Sequence, residues 1–192
     1  MKILLVVLPI ILYLMLGKHL REKHGLTKEK DRLMLYVSIP VYLVFAYLYD
    51  FNITTLIYSL VLSVVFSISA IDLDKHIIPN ELIFILLGFG VVNLLINLHM
   101  AKLLILGFIL TFIFGTVLYF ITKGSIGGGD IKLLSALGLL VGYYNIYIIV
   151  FLSFSIAALV GIGKIISKKA SAKSPIAFGP FIALGFLVVS FI

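Results

Sequence analysis

The chain has 192 residues, of which 62% are hydrophobic and only 12% charged, and its mean hydropathy is +1.26. This composition excludes an ordinary soluble domain, in which about one quarter of the residues are charged, and indicates an integral membrane protein. The formal net charge of +7 does not require a nucleic-acid partner, because most Lys and Arg lie between apolar runs, as the positive-inside rule expects.

Eight apolar runs are candidate membrane spans, separated by short polar segments. In chain order they are Ile3–Leu16, Leu33–Tyr49, Ile53–Ile71, Leu82–Leu98, Leu103–Ile121, Ile131–Val141, Ile146–Ile162 and Ile176–Ile192. The sequence therefore predicts one all-α integral membrane domain over residues 1–192, a polytopic bundle of about eight spans. The sixth run reaches only about 16 Å as a helix, roughly half the hydrocarbon thickness, so we expect a short helix shielded by its neighbours.

The first run also resembles a signal peptide, since it is short and follows Lys2. No small-residue cleavage site follows it, and the next segment, KHLREKHGLTKEKDR, is rich in charge. An uncleaved first span is therefore the favoured interpretation.

Lysines and arginines orient the spans. The segment Gly17–Arg32 carries six of them and is predicted to be a short basic cytoplasmic loop, which places the N-terminus outside. Counting forward puts Asp72–Glu81 and Thr122–Gly129 on the cytoplasmic side as well. The lysine-rich segment Lys164–Lys173 falls on that side too, which supports the count.

Two aspartates therefore lie at the same membrane face. Asp72 directly follows an apolar run, and an ionisable residue at the edge of a span is usually functional. Asp130 follows Gly127, Gly128 and Gly129, which have access to positive φ, permit close approach by another segment and leave a helix N-terminus open. The other aspartates considered, Asp31, Asp50 and Asp74, are predicted to be solvated.

Few reaction types fit these residues. The chain contains no cysteine, no Ser–His pair lies near either aspartate, and the four histidines lack metal-ligand spacing, so we expect neither a metal nor a cofactor. A phosphate-binding loop is disfavoured because GGGD lacks the Gly-Lys-Ser/Thr ending. Two carboxylates that share a proton suffice for attack of water on a peptide bond, which predicts an intramembrane aspartyl protease. Helix-end dipoles favour Asp130 as the base and Asp72 as the acid.

Three segments, IDLDKHIIPNELI, GSIGGGDIKLLSALG and SPIAFGPFIALG, resemble in that order the blocks of type IV prepilin peptidases, relatives of archaeal preflagellin peptidases. A G-x-G-D motif alone is shared with the presenilin group, which is disfavoured because no Pro-Ala-Leu block occurs near the C-terminus. The resemblance implies that Asp72 and Asp130 are the catalytic pair. It also implies removal of a short basic leader from prepilin or pseudopilin precursors, after a glycine, at the cytoplasmic face of the inner membrane.

The basic segment marks a departure from the family. Many bacterial members carry two Cys-x-x-Cys pairs after the first span and are described as also methylating the new N-terminus. Here that position holds Gly17–Arg32 without cysteine, so N-methyltransferase activity is doubtful and a peptidase-only enzyme is expected. The basic residues fit an acidic partner or lipid headgroups instead.

Several further residues are expected to shape the substrate site or its loops: Gly127, Gly128, Gly129, Lys132, Pro79, Asn80, Phe178, Gly179 and Pro180. Lys132 is a candidate for holding the Asp130 loop, and Pro79 for starting the fourth span. Phe178, Gly179 and Pro180 are expected at the mouth of the last helix. Gly107 and Gly115 are predicted to serve helix packing.

Two other functions remain open at this point. A small proton-coupled transporter would use buried carboxylates, although such sites lie near the bilayer midplane. An inactive assembly protein of a pilus or of type II secretion would keep the fold without the reaction. The sequence leaves the particular precursor, its filament or secretion system, and the oligomeric state undetermined.

Overall fold

The computed structural model describes residues 1–123, 126–167 and 176–192. These residues form a 3₁₀ turn at Leu98–Met100 and seven α-helices, namely α1 (Leu4–His24), α2 (Lys28–Leu48), α3 (Ile53–Lys75), α4 (Asn80–Ile96), α5 (Ala101–Ile121), α6 (Gly128–Ile166) and α7 (Gly179–Ser190). Five helical segments are long and apolar enough to cross a membrane, and α4 and α7 are shorter apolar helices. The predicted all-α membrane fold is confirmed. Part of the predicted loop Thr122–Gly129 and most of Lys164–Lys173 lie outside the described residues.

Helix α3 is the centre of the bundle and packs against α1, α2, α4 and α7. From Val61 to Ile71 its residues are all buried, and small serines among them let neighbouring helices approach. Ser63 Oγ donates to the carbonyl oxygen of Pro9 on α1 at 2.8 Å and accepts from the Tyr42 hydroxyl on α2 at 2.9 Å. The central helix is thus held by hydrogen bonds as well as by apolar contact.

Local signals fix both ends of α3. Asn52 caps its N-terminus: the Asn52 side chain accepts from Thr55 N, and Thr55 Oγ1 accepts from Asn52 N, a capping box. At the other end His76 adopts the left-handed region with φ 55°, which stops the helix. Pro79 then stands as N-cap of α4, which agrees with its predicted role.

Helix α6 contains a break at Gly142, where φ is 78° and ψ is 172°, a conformation that favours glycine. The break separates two arms, residues 128–141 and 143–166, that the sequence predicted as the sixth and seventh spans. The first arm packs antiparallel to α5 through the close contacts Gly115–Ile131 and Gly107–Gly138, which confirms both glycines as packing residues. The total of eight spans stays a prediction.

The second arm of α6 packs antiparallel to α7. The rings of Phe154 and Phe178 lie 4.9 Å apart between centroids, and Ser153 Oγ donates to the Phe181 carbonyl oxygen at 3.2 Å. Further along, Gly185 packs closely against the backbone of Ile149. The break at Gly142 therefore connects the part of the bundle that contains α5 to the part that contains α7.

The basic segment 17–32, predicted as a loop, is mostly helical. Helix α1 continues to His24 and α2 begins at Lys28, so only residues 25–27 connect them, with Gly25 in the left-handed region at φ 66°. Lys, Arg and Glu are good helix formers, so hydropathy located the apolar part of each helix rather than its end.

The prediction of a solvated Asp31 is wrong. Asp31 lies on α2 against α1, with only 7% of its surface exposed, and its carboxylate pairs with Arg21. Gly17 on α1 makes this possible, because any side chain there would overlap the Asp31 carboxylate. Asp50, by contrast, is exposed as predicted and forms an ion pair of 3.0 Å with Lys2.

Candidate active site

Asp72 lies in the last turn of α3, with 5% of its surface exposed. The backbone N–H of Gly179 donates to Asp72 Oδ2 at 2.6 Å. A Cβ atom on Gly179 would stand only 3.0 Å from that same oxygen. The Phe-Gly-Pro block therefore packs directly on the aspartate, and glycine is the residue that fits there.

The start of α7 explains why this N–H is available. Phe178 is the N-cap, and Gly179 and Pro180 begin the first turn, where N–H groups have no partner within the helix. Proline at this position has no N–H and its φ is already suited to a helix. The N-terminus of α7, which carries a partial positive charge, thus points a donor at the carboxylate of Asp72.

Asp130 is the third residue of α6, whose N-cap is Gly127. Two of the preceding glycines are in close contact with other groups. A Cβ on Gly127 would lie 2.8 Å from Asp130 Oδ2, and one on Gly129 would lie 3.0 Å from the Cβ of Ile78, whereas Gly128 faces open space. The expected positive φ is not observed, since among the described glycines it occurs at Gly25 and Gly142. Gly127 and Gly129 instead permit close approach, in a run that forms the N-cap and first turn of a helix.

The two aspartates lie at the same end of the bundle, Asp72 in the last turn of α3 and Asp130 in the first turn of α6. The connection between α3 and α4 holds them together: its Ile78 packs on Gly129. Lys132 Nζ, on α6, donates to Asn80 Oδ1, at the start of α4, at 3.1 Å. Lys132 therefore ties the first turns of α6 to the start of α4.

A second group of charges, absent from the sequence-based list of site residues, borders the same connection. Glu81 accepts from Lys23 Nζ at 2.9 Å and lies 2.7 and 3.2 Å from the Nε2 atoms of His24 and His19. Glu81 is in the polar first turn of α4, before the apolar stretch begins. Hydrogen bonds from Lys23 and His24 lower its pKa to about 2.

Asp74 belongs to the same border and is not simply solvated as predicted. It is half-buried, and its Oδ2 accepts from the backbone N–H of Thr27 at 2.9 Å. The end of α1 and the turn that follows it therefore contact both ends of the connection that carries Ile78. The sequence contains these charges, but their partners are 47 to 62 residues away, so no local pattern could have paired them.

Metal ligands are not assembled at this site: within residues 1–123, 126–167 and 176–192 no cluster of three or more His, Cys, Asp or Glu could hold an ion. What the geometry offers is one buried carboxylate that accepts a backbone N–H, and a second, more exposed carboxylate nearby. Such a pair can hold and transfer a proton.

Fold and site together define a multi-pass helical membrane protein with paired aspartates at one end of the bundle. The chain belongs to the type IV leader peptidase family, whose family model matches residues 59–162, more than half of its length and including both aspartates. The resemblance found in the sequence is thereby confirmed.

Three relatives show the level of similarity. All three are named prepilin leader peptidase/N-methyltransferase. The Bacillus subtilis (strain 168) protein is 30% identical over 65% of this chain and 50% of the relative. The Aeromonas hydrophila protein is 33% identical over 63% and 44%, and the Legionella pneumophila protein 30% over 74% and 52%. The chain thus spans about half the length of the curated relatives it matches. No solved structure matches it.

Proposed function

We propose that this protein is an intramembrane aspartyl endopeptidase that removes the short basic leader of prepilin or pseudopilin precursors. The observation that carries the proposal is that Asp72 accepts the Gly179 N–H at the end of α3, while Ile78, in the connection that follows α3, packs on Gly129 beside Asp130. Family membership supports the substrate class. The precursor supplies a peptide bond between a polar leader and an apolar helix.

In the proposed reaction, Asp72 takes a proton from the attacking water, and protonated Asp130 donates to the carbonyl oxygen of the scissile bond. A hydrogen bond donated to a carboxylate stabilises its charged form, so the 2.6 Å contact from Gly179 supports Asp72 as the base. This reverses the expectation from the sequence, which considered the end of α3 but not the start of α7. The two groups share a proton and titrate as a pair.

We place the site at the cytoplasmic face of the inner membrane, with the N-terminus outside. Supporting this orientation, the charged end of α1 and the start of α2 border the aspartates through Glu81 and Asp74, and positive charge favours the cytoplasmic side. A basic leader would then remain in the cytoplasm while the apolar helix of the precursor stays in lipid.

We propose proteolysis without methylation. The relatives' names include N-methyltransferase, but only residues 25–27 connect α1 to α2, at the position where the cysteine-containing insertion is expected. Adding S-adenosylmethionine to the reaction should therefore leave the mass of the cleaved product unchanged.

The test is a cleavage reaction in proteoliposomes. Purified protein is incubated with a precursor that keeps its leader, and mass spectrometry identifies the new N-terminus. We expect one cut, between leader and apolar helix. Stable binding of precursor by folded protein without any cut would overturn the protease proposal in favour of an assembly role. Proton flux across the liposome without a cut would instead indicate a transporter.

A further inference from the structure

A groove opens to the side of the bundle between α2 and α7, with α3 at its base. Its volume is about 150 Å³, and its lining is almost entirely apolar: Met34, Val37, Phe66, Ser69, Pro180, Ala183 and Leu184. The one hydroxyl, Ser69 Oγ, donates to the Val65 carbonyl oxygen at 2.9 Å and so is already satisfied. We call this feature the α2–α7 groove.

Aromatic contacts close the far end of the α2–α7 groove. At the far end of the two helices, the ring centroids of Phe45 and Phe191 lie 5.8 Å apart, and those of Tyr49 and Phe191 lie 6.3 Å apart. Nearer the aspartates, side chains of α2 and α7 line the groove on either side, and Phe66 and Ser69 of α3 form its floor. The groove is therefore closed by aromatic contacts at the end remote from the candidate active site.

Two lining residues of the groove, Ser69 and Pro180, lie close to Asp72. Ser69 stands three residues before Asp72, which is about one helical turn on the same face of α3. Pro180 directly follows Gly179, whose N–H is bonded to Asp72. An apolar segment lying in the groove would thus end one turn from the carboxylate.

The rim of the groove faces outward from the bundle. Val37 on α2 is 44% exposed and Leu184 on α7 is 45% exposed, and these apolar rim residues face lipid in a chain that spans a membrane. A segment arriving from the bilayer could enter between them without desolvating a polar group, because the lining has no unsatisfied donor or acceptor to cover.

We infer that the α2–α7 groove binds the apolar helix of the substrate immediately beyond the scissile bond, with one large apolar side chain of that helix seated in the groove. The inference rests on the proposed function, which supplies a substrate with such a helix. An apolar cavity of about 150 Å³ accepts a group the size of a benzene ring. Packing within lipid is driven by shape and van der Waals contact, so a groove that fits one side chain also sets the register of the scissile bond against Asp72.

A second apolar groove, between α4 and α5, is the main rival. Ile83, Phe84 and Phe112 line it together with Lys132. Lys132 is two residues beyond Asp130, about 200° around the helix, so this groove lies on the opposite side of α6 from the carboxylate. A substrate bound there would have to pass around the N-terminus of α6 to reach the aspartates.

Cross-linking distinguishes the two grooves, and the absence of cysteine from the chain makes each introduced thiol unique. In an Asp130→Asn background, which keeps the precursor intact, single variants Val37→Cys and Leu184→Cys are oxidised with a precursor that carries one cysteine early in its apolar helix. Phe84→Cys reports the rival groove. Val91→Cys is the matched control, because Val91 is 47% exposed on α4 and borders neither groove.

We expect Val37→Cys and Leu184→Cys to give several-fold more cross-linked precursor than Val91→Cys and Phe84→Cys. Equal yields at all four positions, or a dominant yield at Phe84→Cys, would overturn the inference. In the active protein, Leu184→Trp should slow cleavage several-fold, while Val91→Trp, a comparable enlargement facing lipid, should cleave at the normal rate.

Failure of the inference and failure of the proposed function give different results. If the unmodified protein does not cut the precursor, the proposed function is wrong. If it cuts and the cut requires Asp72, but the cross-links map to the α4–α5 groove, then only the binding site is wrong.

Discussion

Replacing Gly179 by alanine tests the contact that holds Asp72. The new Cβ would stand 3.0 Å from Asp72 Oδ2 and 3.2 Å from Asp72 Cβ, closer than ordinary van der Waals contact, so the carboxylate or the start of α7 must shift by a few tenths of an ångström. The 2.6 Å hydrogen bond from the Gly179 N–H would lengthen or break. Gly179→Ala therefore changes the position of one carboxylate without removing any ionisable group.

The size of the effect follows from that hydrogen bond. A hydrogen bond to a charged group contributes about 1.5–3 kcal/mol, so its complete loss in the transition state would lower kcat/KM by roughly 10- to 150-fold. Partial displacement would give a smaller loss within that limit.

The assay is initial-rate cleavage of a leader-bearing precursor in proteoliposomes, with thermal unfolding measured in parallel to show that the variant is folded. Gly88→Ala is the matched control: Gly88 lies within α4 and a Cβ there meets nothing within 4 Å, so full activity is expected. A folded Gly179→Ala protein that cleaves as fast as the unmodified protein would refute the positioning role of the α7 N-terminus.

Three other predictions concern the first turn of α6, the Glu81 cluster and the α5–α6 contact. Gly129→Ala should impair cleavage because its Cβ would press on Ile78, while Gly128→Ala, which meets nothing within 4 Å, should retain cleavage; similar rates for the two would contradict the packing argument. Glu81→Gln should lower the thermal unfolding temperature at pH 7. Since the pKa of Glu81 is lowered from 4.5 to about 2, its charge stabilises the folded state fully above about pH 4.5, and this stabilisation is lost as the pH falls through 2. The unfolding temperatures of the two proteins should therefore converge over that range. A constant difference would show that the carboxylate charge is not responsible. Gly107→Val should destabilise the protein, measured as a lower unfolding temperature, because a side chain at Gly107 overlaps the backbone at Gly138; unchanged stability would mean that α5 and α6 do not need to approach so closely.

Much of the helical framework was predictable because its signals are local. The apolar run that begins at Ile53 starts at the same residue as α3, where Asn52 and Thr55 form the cap. The predicted break between the sixth and seventh runs corresponds to Gly142, whose positive φ is a property of that residue type. Apolar length and turn chemistry, read along the chain, were sufficient for these features.

The basic segment shows what apolar length does not reveal. Hydropathy measures which part of a helix suits lipid, whereas the helices α1 and α2 extend beyond it through charged residues that also favour helix. The burial of Asp31 depends on Gly17 and Arg21 on the other helix. Only the packing of α1 on α2 determines that these residues meet.

The candidate site, too, was predictable from the sequence only in part. Asp72 and Asp130 were identifiable because each stands at the edge of an apolar run, and their motifs resembled a known family. The donor to Asp72 was not identifiable, because Gly179 is 107 residues away in the chain. The Phe-Gly-Pro block pointed to its importance, but the reason became clear only when the start of α7 was placed against α3.

The most direct test of the paired-aspartate mechanism is leader removal by two single variants, Asp72→Asn and Asp130→Asn, in the same proteoliposomes. Loss of a general acid or base typically costs about 10²–10⁴-fold in rate, and asparagine keeps the size of each side chain. We predict that each variant folds, binds precursor and loses cleavage to that extent. If either folded variant removes the leader at the normal rate, the two aspartates are not the catalytic pair.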